Sequence, residues 1–185
     1  MKTALNLLFW GYFLVFLRFE IVIDILPDPL GYFLIASGSY RLHKSYPVAK
    51  RAGILATTMI FISLPTVFVD VGKAVDFGWG TYAIALLFLK LMLVYFIFSI
   101  LKGIAKDFGE KALIERTNKV YTFYITLNLI LLAFTSFSMN LSGHFWDSVG
   151  FILMIVGLIM EIIFLVLIRT IRRAKPSETV FDQHE

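Results

Sequence analysis

The chain has no cysteine among its 185 residues. That excludes disulfides, thiolate metal sites, iron–sulfur clusters and cysteine nucleophiles. Charge is scarce too: 16% of the residues are Asp, Glu, Lys or Arg, against roughly a quarter in a soluble globule. Only His43, His144 and His184 carry imidazoles, and they are too scattered to suggest a metal cluster. There is no Walker loop, no dinucleotide fingerprint and no H-E-x-x-H zinc motif. Ser142, His144 and Asp147 hold the residue types of a hydrolase triad. Spacing that local rarely gives triad geometry, and no oxyanion-hole turn accompanies it. No catalytic set, no cofactor and no nucleic-acid partner is expected.

Apolar residues fill that space. They make up 59% of the chain, and the mean hydropathy is +0.83. A membrane-spanning helix needs roughly 20 apolar residues to cross about 30 Å of hydrocarbon. Six stretches qualify as candidates: about Thr3–Leu17, Leu30–Tyr46, Arg51–Val69, Trp79–Leu101, Val120–Asn140 and Val149–Ile168. The first two are short and the other four are of ordinary length. Pro27 and Pro29 force a break between the first pair, because neither donates a backbone hydrogen and each disfavours helical geometry before it. The expectation is an all-α, polytopic transmembrane bundle of six spans over residues 1–173, with a short disordered cytoplasmic tail at 174–185.

The distribution of charge sets the orientation. With the N-terminus inside, the inner segments hold Lys2, Arg41, Lys44, Lys50, Arg51, Lys102, Lys106, Lys111, Arg116, Lys119, Arg169, Arg172, Arg173 and Lys175 against six acids. The outer segments hold only Arg18 and Lys73 against Glu20, Asp24, Asp28, Asp70, Asp76 and Asp147. Lys and Arg excess marks the cytoplasmic side, so both termini are expected inside. Trp79, Trp146, Tyr121 and Tyr124 fall at expected helix ends, as an aromatic belt would. Lys102–Lys119 reads as a basic helical connector on the inner surface, with Asp107–Lys111 and Glu115–Lys119 pairs at i,i+4 and Ile104 and Phe108 against the headgroups.

Two charges belong to no loop. Lys90 lies near the middle of the fourth expected span and Glu161 near the middle of the sixth. Counting at 1.5 Å per residue from the outer helix starts puts them at nearly equal depth, about 16 and 18 Å. An isolated charge at such depth costs at least ~2.5 kcal/mol, so an ionisable group there calls for a partner and a purpose. Gly150 and Gly157 share the Glu161 face, which suits close approach of another helix. Asn128 reaches the same layer by the same count. Lys90, Asn128 and Glu161 are therefore expected to form one intramembrane polar layer. Three readings of it stay open: a static ion pair that fixes helix register, a substrate or ion site, or side chains that snorkel separately toward water.

The second constellation is external and acidic. Glu20, Asp24 and Asp28 are spaced i, i+4, i+8, which aligns them on one helix face. Carboxylates attract hard cations, but acids also collect outside simply because basic residues are kept in.

The run Ile23-Asp24-Ile25-Leu26-Pro27-Asp28-Pro29-Leu30-Gly31-Tyr32 resembles a motif, D-I-L-P-D-x-x-G-Y, near the N-terminus of a family of small, uncharacterised integral membrane proteins of Gram-positive bacteria. Pro29 stands at the first variable position, in place of the usual apolar residue. The resemblance implies a bacterial cytoplasmic membrane and transfers no catalytic residue. In physical terms, Asp28 suits the start of the second helix, with Pro29 at its first position. Gly31 would permit close packing on the first helix.

The expected role is a small-solute or ion binding or transport component of the plasma membrane. The alternative is a non-catalytic accessory protein that binds other membrane proteins or a second copy of itself. The lipid bilayer is the one partner that both readings share.

Overall fold

The structure, a computed structural model, describes residues 1–20, 28–65, 77–138 and 144–174. Asp24, Asp70, Lys73, Asp76, Ser142 and the tail beyond Ala174 lie outside the described residues, as do the side chains of Arg18, Glu20, Trp79, His144 and Asp147. Among the described residues the chain is all-α, with six helices: α1 (Lys2–Glu20), α2 (Asp28–Leu42), α3 (Val48–Ile62), α4 (Phe77–Asp107), α5 (Lys111–Ser138) and α6 (His144–Arg173). The last three are long and apolar enough to cross a membrane.

Each helix packs on the next in chain order, α6 returns to α1, and α4 also touches α6. Arg172 in α6 donates to Asn6 in α1. Tyr46, between α2 and α3, donates to Asp107 at the end of α4 at 2.5 Å. Both contacts lie at one end of the bundle, which also carries Lys2, Arg41, Lys44, Lys50, Lys106, Lys111 and Arg173. It is called here the basic end. Burial and the Asp107 carboxylate hold the Tyr46 phenol above its ordinary range, so this hydroxyl remains a donor across neutral pH.

Helices α1 and α2 meet through missing side chains. A Cβ on Gly11 would stand 2.7 Å from the Gly31 carbonyl oxygen, and one on Gly38 would stand 2.9 Å from the Ala4 carbonyl oxygen. The pairs 11–31 and 4–38 run in opposite senses, as an antiparallel hairpin requires. Backbone-to-backbone approach of this kind is how small residues join helices where the surroundings are as apolar as the side chains. Further round, Ala49, Ala52 and Ala56 of α3 are fully buried.

Two expectations are corrected. The third apolar stretch is not one unbroken helix: α3 stops at Ile62, and Ser63 closes it with its N–H on the Met59 carbonyl. Pro65 accounts for this, since it disfavours helical geometry at Leu64 and lacks a donor of its own. Nor is residues 102–119 a separate surface helix. α4 runs straight on to Asp107, Gly109 turns the chain at φ 69°, and α5 begins at Lys111. Only glycine enters that left-handed region without cost. The reversal places Asp107 and Lys111 on different helices. Ile104 and Phe108 are buried in the bundle, not spread on a surface.

Large apolar side chains cover much of the outside, among them Phe33, Phe61, Phe88, Phe123, Phe137 and Phe151. So wide an apolar surface is foreign to a protein bathed in water. Replacement Gly11→Ala should lower detergent-solubilised stability by about 1–3 kcal/mol through overpacking, whereas Gly78→Ala, with nothing within 4 Å of the new methyl, should leave the melting temperature unchanged or slightly raised.

Candidate functional site

The Lys90 Nζ of α4 lies 3.1 Å from the Glu161 Oε1 of α6, both side chains nine-tenths buried. The two helices run in the same direction. Each presents its charge after a long apolar approach from the far end, so the depths match.

Two tyrosines complete the arrangement. Tyr124 in α5 donates its hydroxyl hydrogen to the same Glu161 Oε1 at 2.8 Å. Tyr12 in α1 stands 2.8 Å from the Tyr124 hydroxyl. A phenol has one hydrogen to give, and that of Tyr124 is committed to Glu161, so Tyr12 must be the donor to Tyr124. The chain of hydrogen bonds is therefore directional: Tyr12 to Tyr124 to Glu161. The Lys90 ammonium also lies 5.8 Å from the centre of the Tyr12 ring, within reach of a cation–π attraction. Four helices, α1, α4, α5 and α6, thus meet at one carboxylate.

The other carboxylate oxygen is different. Glu161 Oε2 is buried and has no hydrogen-bond partner among the described residues. An unsatisfied acceptor of this kind costs about 1–3 kcal/mol, and more when charged. Unpartnered buried polar atoms of this kind are uncommon, since most are hydrogen-bonded.

Below the quartet, towards the basic end, the packing is dense and aromatic. Phe164 lies 4.7 Å from both Tyr12 and Phe98, ring centre to ring centre, and 5.3 Å from Tyr124. Leu93, Val94, Ile97, Phe98 and Leu101 of α4 are fully buried, as are Phe164, Leu167, Ile168 and Ile171 of α6. Above the quartet, towards the far end, the pattern stops. Among the described residues of α4, α5 and α6, none on the far side of Lys90, Tyr124 and Glu161 is buried. The four residues sit at the boundary between a closed half and a looser one.

Asn128 is not part of this contact. Its Nδ2 donates to the Tyr124 carbonyl within its own helix, at 3.0 Å. Counting depth from Asn140, at the outer end of its span, placed it one turn too deep. Its side chain is half-buried one turn to the far side of Tyr124. Tyr124, expected at a membrane surface, is instead 1% exposed in the core. Tyr121 keeps to the outside, with the Lys102 ammonium 3.4 Å from its ring centre. Tyr12 and Tyr124 were missed by sequence reasoning, although Tyr124 lies four residues before Asn128 and shares its face. Gly150 packs against Phe134 and Gly157 against Leu131, so the glycine face of α6 does meet another helix.

Of the acidic hairpin, only the Asp28 side chain is described. It is buried at the first turn of α2, where a carboxylate favours the helix N-terminus. Among the described residues, no group of three or more His, Asp or Glu could hold a metal ion. Compared with known proteins, the chain matches no family model, no curated protein and no solved structure.

Lys90→Met and Glu161→Gln should each destabilise the protein by about 3–5 kcal/mol, the usual result of orphaning one member of a buried pair. The double variant should lose clearly less than the two losses added together, in a detergent unfolding titration. Strict additivity would mean that the two groups do not interact.

Proposed function

We propose that this chain is a six-span protein of a bacterial cytoplasmic membrane, with both termini inside, and that it binds or moves a small solute or ion at the Lys90–Glu161–Tyr124–Tyr12 quartet. The observation that carries the binding role is the unpartnered Glu161 Oε2 at the boundary between the closed and looser halves of the bundle. A strut needs both oxygens satisfied, whereas a site needs one left to offer.

Orientation rests on the basic end. Its Lys and Arg excess favours the cytoplasm, and the Asn6–Arg172 contact brings the start of α1 beside the end of α6. Helices α2 and α3, at 15 residues each, span about 22 Å. Local thinning of the bilayer and flanking residues would make up the difference. Bacterial origin rests on the resemblance around Asp24–Tyr32. An accessory role, as partner to another membrane protein or to a second copy, is the second reading. It draws on α5, few of whose residues are fully buried within the chain and which has apolar surface to share.

The absence of native cysteine makes the test direct, because any introduced thiol is the sole target. In intact cells, an impermeant maleimide should label Ala83→Cys, which lies on the Lys90 face of the far half. It should spare Lys44→Cys and Lys111→Cys until the cells are opened. Ala105→Cys, fully buried in the closed half, should resist in both conditions. Labelling of Lys44→Cys from outside would reverse the orientation. Failure to label Ala83→Cys in folded protein would remove the route to the site.

A further inference from the structure

We infer that the solute is electrically neutral, with one hydrogen-bond-donating head, a hydroxyl or an amide, on an apolar body. The inference rests on the binding role proposed above and names the class of molecule that the quartet takes.

Charge comes first. The Lys90 ammonium and the Glu161 carboxylate cancel, and they do so in apolar surroundings. A cation placed on Oε2 would leave a net charge beside Lys90, and an anion would be turned away by the carboxylate itself. Charges in such a medium are costly unless compensated. A neutral molecule leaves the balance untouched.

Hydrogen bonding comes second. Oε1 already accepts from Lys90 and Tyr124. Oε2 accepts from none of the described residues and carries full acceptor capacity. What it lacks is a donor. A ligand with acceptors alone gains nothing there.

The walls come third. One helical turn to the far side of the quartet stand Leu86 and Leu87 on α4, Asn128 on α5 and Gly157 with Leu158 on α6, all of them half-buried. Apart from the Asn128 amide, these residues present hydrocarbon, and Leu131 covers the face of Gly157. A small polar head thus meets Oε2, and an apolar body lies against leucine.

The test compares four molecules of equal chain length on the full-length Ala83→Cys protein in detergent: 1-octanol, octylamine, octanoate and heptyl methyl ether. The readout is the rate of maleimide labelling, at matched micellar mole fraction. A hydrogen bond to a charged acceptor should make the alcohol about tenfold more protective than the ether. Glu161→Gln in the same background should erase that preference, while Tyr12→Phe, which leaves Oε2 intact, should keep it. The wild-type comparison of alcohol with ether needs no site variant, so misfolding of Glu161→Gln does not blunt it. Equal protection by alcohol and ether overturns the inference, as does strongest protection by the amine or by the acid. In those cases labelling of Ala83→Cys without additive still upholds the site. If no additive protects, Oε2 holds no more than water and the inference falls. In proteoliposomes, butanol supplied from water and tetradecanol supplied from the bilayer distinguish the two sources of such a molecule, and the alcohol preference must appear with one of them.

Discussion

A charged carboxylate deep among apolar side chains must be answered by other groups, and at Glu161 three helices supply the answer. α4 contributes an ammonium, α5 a phenol, and α1 a second phenol that holds the first in place. Each donor is useful only if its helix keeps its rotation and height. The contact therefore does for this bundle what water-driven burial cannot do in a lipid environment, where apolar contact with a neighbouring helix is worth little more than contact with an acyl chain. It chooses one register among many that apolar packing would tolerate.

Around that point the two halves of the chain solve different problems. α1, α2 and α3 join through glycine and alanine, with backbones close enough that a methyl at Gly11 or Gly31 would strike carbonyl oxygen. α4, α5 and α6 are longer, and they pack closely only from the quartet to the basic end. The aromatic cluster of Tyr12, Phe98, Tyr124 and Phe164 seals the floor. Beyond it, the same helices diverge in burial from α1–α3, whose Tyr32, Ile35 and Met59 are almost wholly covered. The pair of charges lies where a densely buried floor gives way to a half with lower burial.

Much of this was legible in the chain itself. Apolar length gave the helices, and counting at a fixed rise put Lys90 and Glu161 at one depth. The spacing of Gly150 and Gly157 identified the face of α6 that meets another helix. What escaped was governed by single residues with two meanings. Pro65 sits in an apolar run whose hydropathy masks its effect on the backbone. Gly109 interrupts a charge pattern that otherwise reads as one continuous helix. Tyr124 lies near a helix start, where aromatic residues commonly meet the headgroups. Only the partner across the bundle shows that its hydroxyl turns inward. Asn128 stayed apart for a different reason: it lies one turn from the layer, and an amide can be satisfied by its own helix.

The most direct test of the quartet is difference infrared spectroscopy on protein carrying isotope-labelled glutamate, with the Glu161→Gln variant used to isolate the one side chain. The Glu161 carboxyl signal should move when Tyr124 is replaced by Phe and again when Lys90 is replaced by Met. A signal that neither replacement disturbs would contradict the account.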